Sequence, residues 1–236
     1  MPRLGTRKLY YLLKAEFEGL GIKIGRDALF DYLRIEHLLV KRKKNYTKTT
    51  DSKHWLKKHP NLLAHEKVTR AEQVFVADIT YVKSQERTHY LSLVTDAFSR
   101  RIMGYHVSDD LAAENTVRAL QMAVKERRTD RALIHHSDRG LQYAAGIYQT
   151  QLRRARILPS MTDGYDCYQN ALAERVNGIL KQEFLSTKCR TGKQLKQLVK
   201  ESIEIYNNER PHLSLQMKTP NAVHEKACEV KFTGSD

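Results

Sequence analysis

The chain has 236 residues, room for one large domain and a small one, and its 41% hydrophobic content is ordinary for a globular core. Lys and Arg number 41 against 27 Asp and Glu, a formal +14 that points to a polyanionic partner, nucleic acid ahead of a ribosome-like or membrane-surface one. No apolar run is long enough to span a membrane and no secretory signal pattern opens the chain, so the sequence excludes an integral membrane protein and predicts a cytoplasmic one, nucleoid-associated when bound to DNA.

The first predicted unit covers residues 1–40. Two amphipathic helices, Thr6 to Phe17 and Arg26 to Leu39, are split by the breakers Gly19, Gly21 and Gly25. This pattern suggests a helix-turn-helix-like DNA-binding region, with Arg26 and Arg34 facing outward from the second helix. A basic linker follows at 41–67, opening on Lys41, Arg42, Lys43 and Lys44 and continuing through Lys48, Lys53, Lys57 and Lys58. Low apolar content predicts an extended or disordered segment that neutralises phosphates without reading sequence.

From Glu72 the periodicity turns strand-like. Val74 to Val82, Tyr90 to Asp96 and Arg101 to His106 read as an antiparallel meander. A helix from Ala112 to Lys125 follows, with Ser108 or Asp109 as the expected cap, then a strand at Ala132 to His136. Next come a helix at Ala144 to Ala155, a strand at Ile157 to Ser160 and a polar, glycine-containing loop from Thr162 to Gln169. A basic helix from Gly192 to Asn207 closes on Arg210-Pro211-His212, and Thr219 to Val223 starts a last short helix. The three cysteines, Cys167, Cys189 and Cys228, have no C-x-x-C spacing, so neither a disulfide framework nor a zinc knuckle is indicated.

Candidate chemistry lies in carboxylates. Asp78 ends the apolar run from Val74, and Asp138 ends the run from Ala132. Between Asn170 and Glu183 a helical wheel sets Asn170, Glu174, Asn177 and Lys181 on one side and Leu172, Val176 and Ile179 on the other. An apolar stripe docked on a core would leave Glu174 and Lys181 facing whatever lies opposite. Asp96, Asp163 and Asp166 are rival carboxylates with turn or cap roles, and His135 and His136 read as packed core residues.

Asp78, Asp138 and Glu174, with 35 residues between the last two and Lys181 seven after the glutamate, resemble the Asp-Asp-Glu signature of retroviral-integrase-type transposases. The words Asp78-Ile79-Thr80-Tyr81, His136 to Tyr143 and Tyr206 to His212 resemble the insertion-sequence IS-three family in particular, and the likeness runs from about residue 68 to the C-terminus. It implies an α/β fold: an RNase H-like integrase core, a mixed five-stranded sheet flanked by helices, at 68–190, followed by a C-terminal helical extension at 191–236. The predicted element order agrees.

The resemblance further implies a transposase that cuts and joins double-stranded DNA at transposon ends and target. Asp78, Asp138 and Glu174 would be both the catalytic residues and the ligands of two Mg²⁺ or Mn²⁺ ions, with Asp78 shared. Lys181 and Asn170 would contact the terminal DNA. A homodimer or larger assembly on paired ends is implied, and an upstream-frame partner protein is compatible with it. Two rival functions are an RNase H-type nuclease and a truncated regulator that binds element ends without cutting. The loop departs from the family pattern at Asp166-Cys167-Tyr168-Gln169-Asn170-Ala171, which bears on loop contacts and not on Glu174.

Overall fold

Alternation along the chain builds the sheet at the centre of this computed structural model, which describes residues 3–40, 56–64, 67–163 and 170–229. Strands β1 (Val74–Lys83), β2 (Thr88–Asp96) and β3 (Ile102–Ser108) form the antiparallel meander; β4 (Leu133–Ser137) and β5 (Ile157–Met161) add in parallel on the other side. The order is β3-β2-β1-β4-β5, so β1 is central. With both faces covered, its residues are apolar on both sides.

On one face Phe75, Ala77, Val94 and Met103 pack against helix α3 (Ala113–Lys125) and the pair α4 (Leu141–Ala144) and α5 (Gly146–Arg154), through Leu120, Tyr148 and Leu152. On the other, Val82, Leu91 and Leu93 pack against Val176 and Leu180 of α6 (Ala171–Ile179) and its continuation, and against Leu195, Val199, Ile203 and Tyr206 of α7 (Gly192–Asn208). Burying a leucine as fully as Leu91 or Leu120, each 0% exposed, stabilises by roughly 1.5–3 kcal/mol. The architecture is the expected mixed five-stranded sheet flanked by helices.

Three local expectations are corrected. No side chain caps α3 as Ser108 or Asp109 was expected to; Asp110 Oδ1 accepts the Ala112 N–H at 2.9 Å and the Asn115 side chain at 2.6 Å, while Asp109 pairs with His89 at 2.7 Å. The helix expected over 144–155 is α5, and a separate short helix, α4, precedes it, the two parted because Ala145 is extended (φ −60°, ψ 140°) and the Tyr143 carbonyl is taken by the Gln149 side chain at 2.7 Å. The last helix, α8 (Pro220–Glu229), runs further than the start at Thr219 to Val223 suggested.

Before the sheet, α1 (Thr6–Gly19) and α2 (Arg26–Ile35) form a helical pair, turned at Gly21 with φ +70°, where a side chain would be strained. Helix α2 stops short of the expected Leu39, with His37 in the left-handed region at φ 56°. Lys8 of α1 meets Glu183 at 3.3 Å, and Arg210 grips the same carboxylate at 2.6 and 2.7 Å, so one half-buried acid ties the N-terminal helix and the C-terminal tail to the core.

Of the segment read as a basic linker, residues 56–64 lie along β5: Leu62 N–H donates to Ser160 Oγ at 2.9 Å and Pro60 accepts from Met161 N–H at 3.3 Å. Leu56 and Leu63 supply the apolar anchors for that docking. Among the described residues, no helix is long and apolar enough to cross a membrane.

Candidate active site

The β1–β4 ladder pairs Val74 with Ile134, Phe75 with His135 and Val76 with His136. The same offset carried two residues further sets Asp78 beside Asp138, which lies just beyond the end of β4. Parallel neighbours stand about 4.8 Å apart, so two carboxylates meet at adjacent strand positions. Side chains alternate, and Asp78 shares the face of Val74 and Val76, toward α6.

Helix α6 docks through Ala173, Val176 and Leu180, which are at most 4% exposed, and this leaves Glu174 in solvent across from the aspartates. After Ile179 the helix widens to a π-helical turn, Leu180–Phe184, which carries Lys181 and Glu183. Such turns are a common device near functional sites. Partial desolvation lowers the pKa of the Lys181 ammonium, and the field of Asp78 opposes that shift.

The acids bear on one another. Burial raises the Asp78 carboxyl to about 7, and the adjacent Asp138 adds to that shift more than Glu174 does. Glu174 is raised too, by partial desolvation and then by Asp138. Two hydrogen bonds oppose the rise at Asp78: its Oδ1 accepts the Ile79 N–H at 2.9 Å and its Oδ2 accepts the Asn177 amide at 2.7 Å. Asp138 Oδ1 accepts the Gly140 N–H at 3.0 Å, in a turn where a Cβ on residue 140 would meet that same oxygen at 3.0 Å.

Three carboxylates crowding their charge into one cleft form a donor set suited to hard divalent cations.

Asn177 is the residue whose role the sequence reading missed. It was placed on the polar stripe with Glu174, but only the fold shows its amide turned inward on Asp78. Tyr143 is a second: it is buried, its hydroxyl has no hydrogen-bond partner among the described residues, and its pKa is raised well above the usual value by burial first and by Tyr148, Asp78 and Asp138 after it.

Other candidates fall elsewhere. Asn170, expected against DNA, is 5% exposed and donates its amide to the Ala77 carbonyl at 3.1 Å, so its side chain clips the start of α6 to β1. Arg26 and Arg34 are exposed on α2 but engaged locally, with Asp27 and with Asp31 and the Phe30 ring. Lys41, Arg42, Lys43 and Lys44 lie outside the described residues, as do Asp166 and most of the loop to Gln169. His135 bonds the Tyr148 hydroxyl at 2.8 Å and His136 bonds Ser160 Oγ at 2.9 Å, both inside the core. Asp96 is 0% exposed and is spent on the backbone of Glu72 and on Ser99.

Two family models, each described as an integrase core domain, match residues 68–167 and 155–220. An uncharacterized protein of insertion element IS600 of Shigella sonnei is 37% identical over 94% of this chain and 81% of its own length. Transposase InsF for insertion sequence IS3A of Escherichia coli (strain K12) is 33% identical over 77% of this chain and 62% of its own. The chain belongs to the IS-three family of insertion-sequence transposases.

Another relative, the transposase for insertion sequence element IS629 of Shigella sonnei, is 30% identical over 98% of this chain and 77% of its own. The function of this family member is accordingly DNA transposition. Solved structures agree on the fold. The HTLV-2 integrase catalytic core domain, in complex with magnesium, aligns with 66% of this transposase and 97% of its own chain, at TM-score 0.52 and 18% identity. A simian T-cell lymphotropic virus intasome in complex with PP2A regulatory subunit B56 gamma aligns over 93% of this chain and 74% of its own, at TM-score 0.56 and 17% identity.

Proposed function

We propose that this transposase cuts DNA at the ends of its element and joins the freed ends to target DNA, with Asp78, Asp138 and Glu174 as the ligands of two Mg²⁺ or Mn²⁺ ions. The observation that carries the reading is the pairing of Asp78 with the strand position of Asp138 while Glu174 faces both from α6. Once bound, such a pair of ions stabilises the attacking and leaving oxygens of an in-line displacement at phosphorus.

The protein's own residues do the positioning. Asn177 fixes the rotamer of Asp78, the Gly140 N–H fixes Asp138, and the docked stripe of α6 fixes the height of Glu174. Lys181, on the same helical stripe as Glu174, is assigned to meeting a DNA phosphate as a point charge. The chemistry needs no covalent protein intermediate: water cuts first, and the 3′-hydroxyl it frees attacks a second phosphodiester. The basic character of the chain, the α1–α2 pair and the segment from Lys41 to Lys44 are assigned to holding the duplex, and two or more copies to pairing the ends.

The test is Asp78→Asn. It is expected to abolish metal-dependent cleavage of element-end DNA while leaving the gel-shift affinity of the purified chain unchanged; cleavage at the wild-type rate would refute the assignment.

A further inference from the structure

Away from the acidic cleft, the structure brings together a second set of groups that the chemistry above does not use. Glu72, two residues before β1, and His224 of α8 are each 0% exposed. With Cys228, one turn further along α8, each presents a ligand atom within 4.8 Å of the other two. Glu72 and His224 are 152 residues apart in the chain, so no local spacing announces the cluster. It is also remote from Asp78, since Val74 to Asp78 alone is about 13 Å of strand.

The hydrogen bonds around His224 determine which ring nitrogen is available. Ser99 Oγ donates to Asp96 Oδ1 at 2.7 Å, so its one hydrogen is committed, and it can only accept from His224 Nδ1 at 3.0 Å. The ring therefore carries its hydrogen on Nδ1. Nε2 is buried with no hydrogen-bond partner among the described residues, and its nearest acid is Glu72 Oε1, in ion-pair range at 3.5 Å. Glu72 is held in turn by the Arg128 and Thr129 backbone N–H groups at 2.7 and 2.8 Å. A histidine whose far nitrogen is tied to a carboxylate, here through Ser99, and a carboxylate anchored by backbone donors are the usual outer supports of a metal site.

We propose that Glu72, His224 and Cys228 bind a Zn²⁺ ion that pins α8 to the entry of β1. The donor set of one nitrogen, one sulfur and one oxygen favours zinc over magnesium. Zinc bonds of about 2.0–2.3 Å put tetrahedral ligand atoms about 3.5 Å apart, so the three groups close by about 1 Å on binding. Cys228 is the half-buried member, and its open side gives the fourth position to water. A dication also adds positive charge beside the buried carboxylates of Glu72 and Asp96, which lie 3.5 and 3.9 Å from the His224 ring nitrogens.

The test uses Co²⁺ as a coloured stand-in on the chelator-stripped full chain. Wild type and Asp78→Asn are expected to develop a thiolate-to-cobalt absorption band that Zn²⁺ bleaches, and Cys228→Ser to lack it. The absence of a band in wild type, or its persistence in Cys228→Ser, would overturn the site. Should Cys228→Ser not fold, alkylation of wild type followed by peptide mass spectrometry decides: zinc is expected to slow labelling of Cys228, and equal labelling with and without zinc would overturn the proposal. Because Asp78→Asn keeps the band, the result is independent of the catalytic assignment.

Discussion

Asn177 lies one turn after Glu174 on the same helix and donates to Asp78 across the cleft at 2.7 Å, so a single amide couples the helix that bears one acid to the strand that bears another. Removing such an outer partner typically costs about 10- to 100-fold in metal affinity or activity. Asn177→Ala is therefore expected to cut metal-dependent strand cleavage by about that factor while the circular dichroism spectrum stays native; full activity would show that Asp78 is held by other means. The side of the helix on which Asn177 sits was legible from the 3.6-residue period. Its inward turn was not, because a wheel gives direction and not depth, and Asn170 was misjudged for the same reason.

Two buried histidines each make the folded chain less stable in acid. Burial pushes His135 and His212 down to about 3, and Arg210 repels a proton on His212 as well. Each titrates near 6.5 when unfolded. At these two sites the unfolded chain binds more protons between those values, so each contributes a loss of stability as pH drops from about 6.5 toward 3, by up to about 1.4 kcal/mol per pH unit, while Asp78, raised to about 7, contributes in the opposite sense. His212→Gln is expected to flatten the pH dependence of urea unfolding over pH 7 to 5. A slope equal to that of wild type would contradict the neutral, buried state.

At the scale of elements, the strands were the most legible part. The runs at Val74, Tyr90, Arg101, Ala132 and Ile157 all became strands within two residues of their expected limits, because a buried sheet requires apolar side chains at every position of its centre. The break at Ala145 and the π-helical turn after Ile179 were not legible. Both depend on where side chains find partners in space, as with Gln149 on the Tyr143 carbonyl. Close packing of elements can also be read only from the fold.

Gly104 on β3 shows this last point. A Cβ there would meet the Ala119 carbonyl oxygen of α3 at 2.1 Å and the Ala123 nitrogen at 2.7 Å, so the helix backbone occupies the space a side chain would need. Gly104→Ala is expected to destabilise by about 1–3 kcal/mol or more, read as a lower urea midpoint at unchanged slope. An unchanged midpoint would mean that α3 shifts away at little cost.

For the whole molecule, the sheet divides the labour. One face, with α3 to α5, is a plain apolar core; the other carries α6 and α7 and opens at Asp78 into the acidic cleft. The tail closes this second face: Asn207 bonds both the N–H and the carbonyl of Ile102 at 3.0 Å, guarding the β3 edge, and Arg210 reaches Glu183 next to the π-helical turn. A formal +14 favours a polyanionic partner, and the three acids of the cleft set a local patch of opposite charge against it.

The most direct measurement of the central claim is cleavage of labelled DNA drawn from the flanks of the reading frame, in Mn²⁺, by the purified chain beside Glu174→Gln. The account predicts nicks at the flank ends that vanish in the variant while both proteins still bind the DNA. Nicks that persist in Glu174→Gln, or a wild-type chain that binds and never cuts, would contradict it.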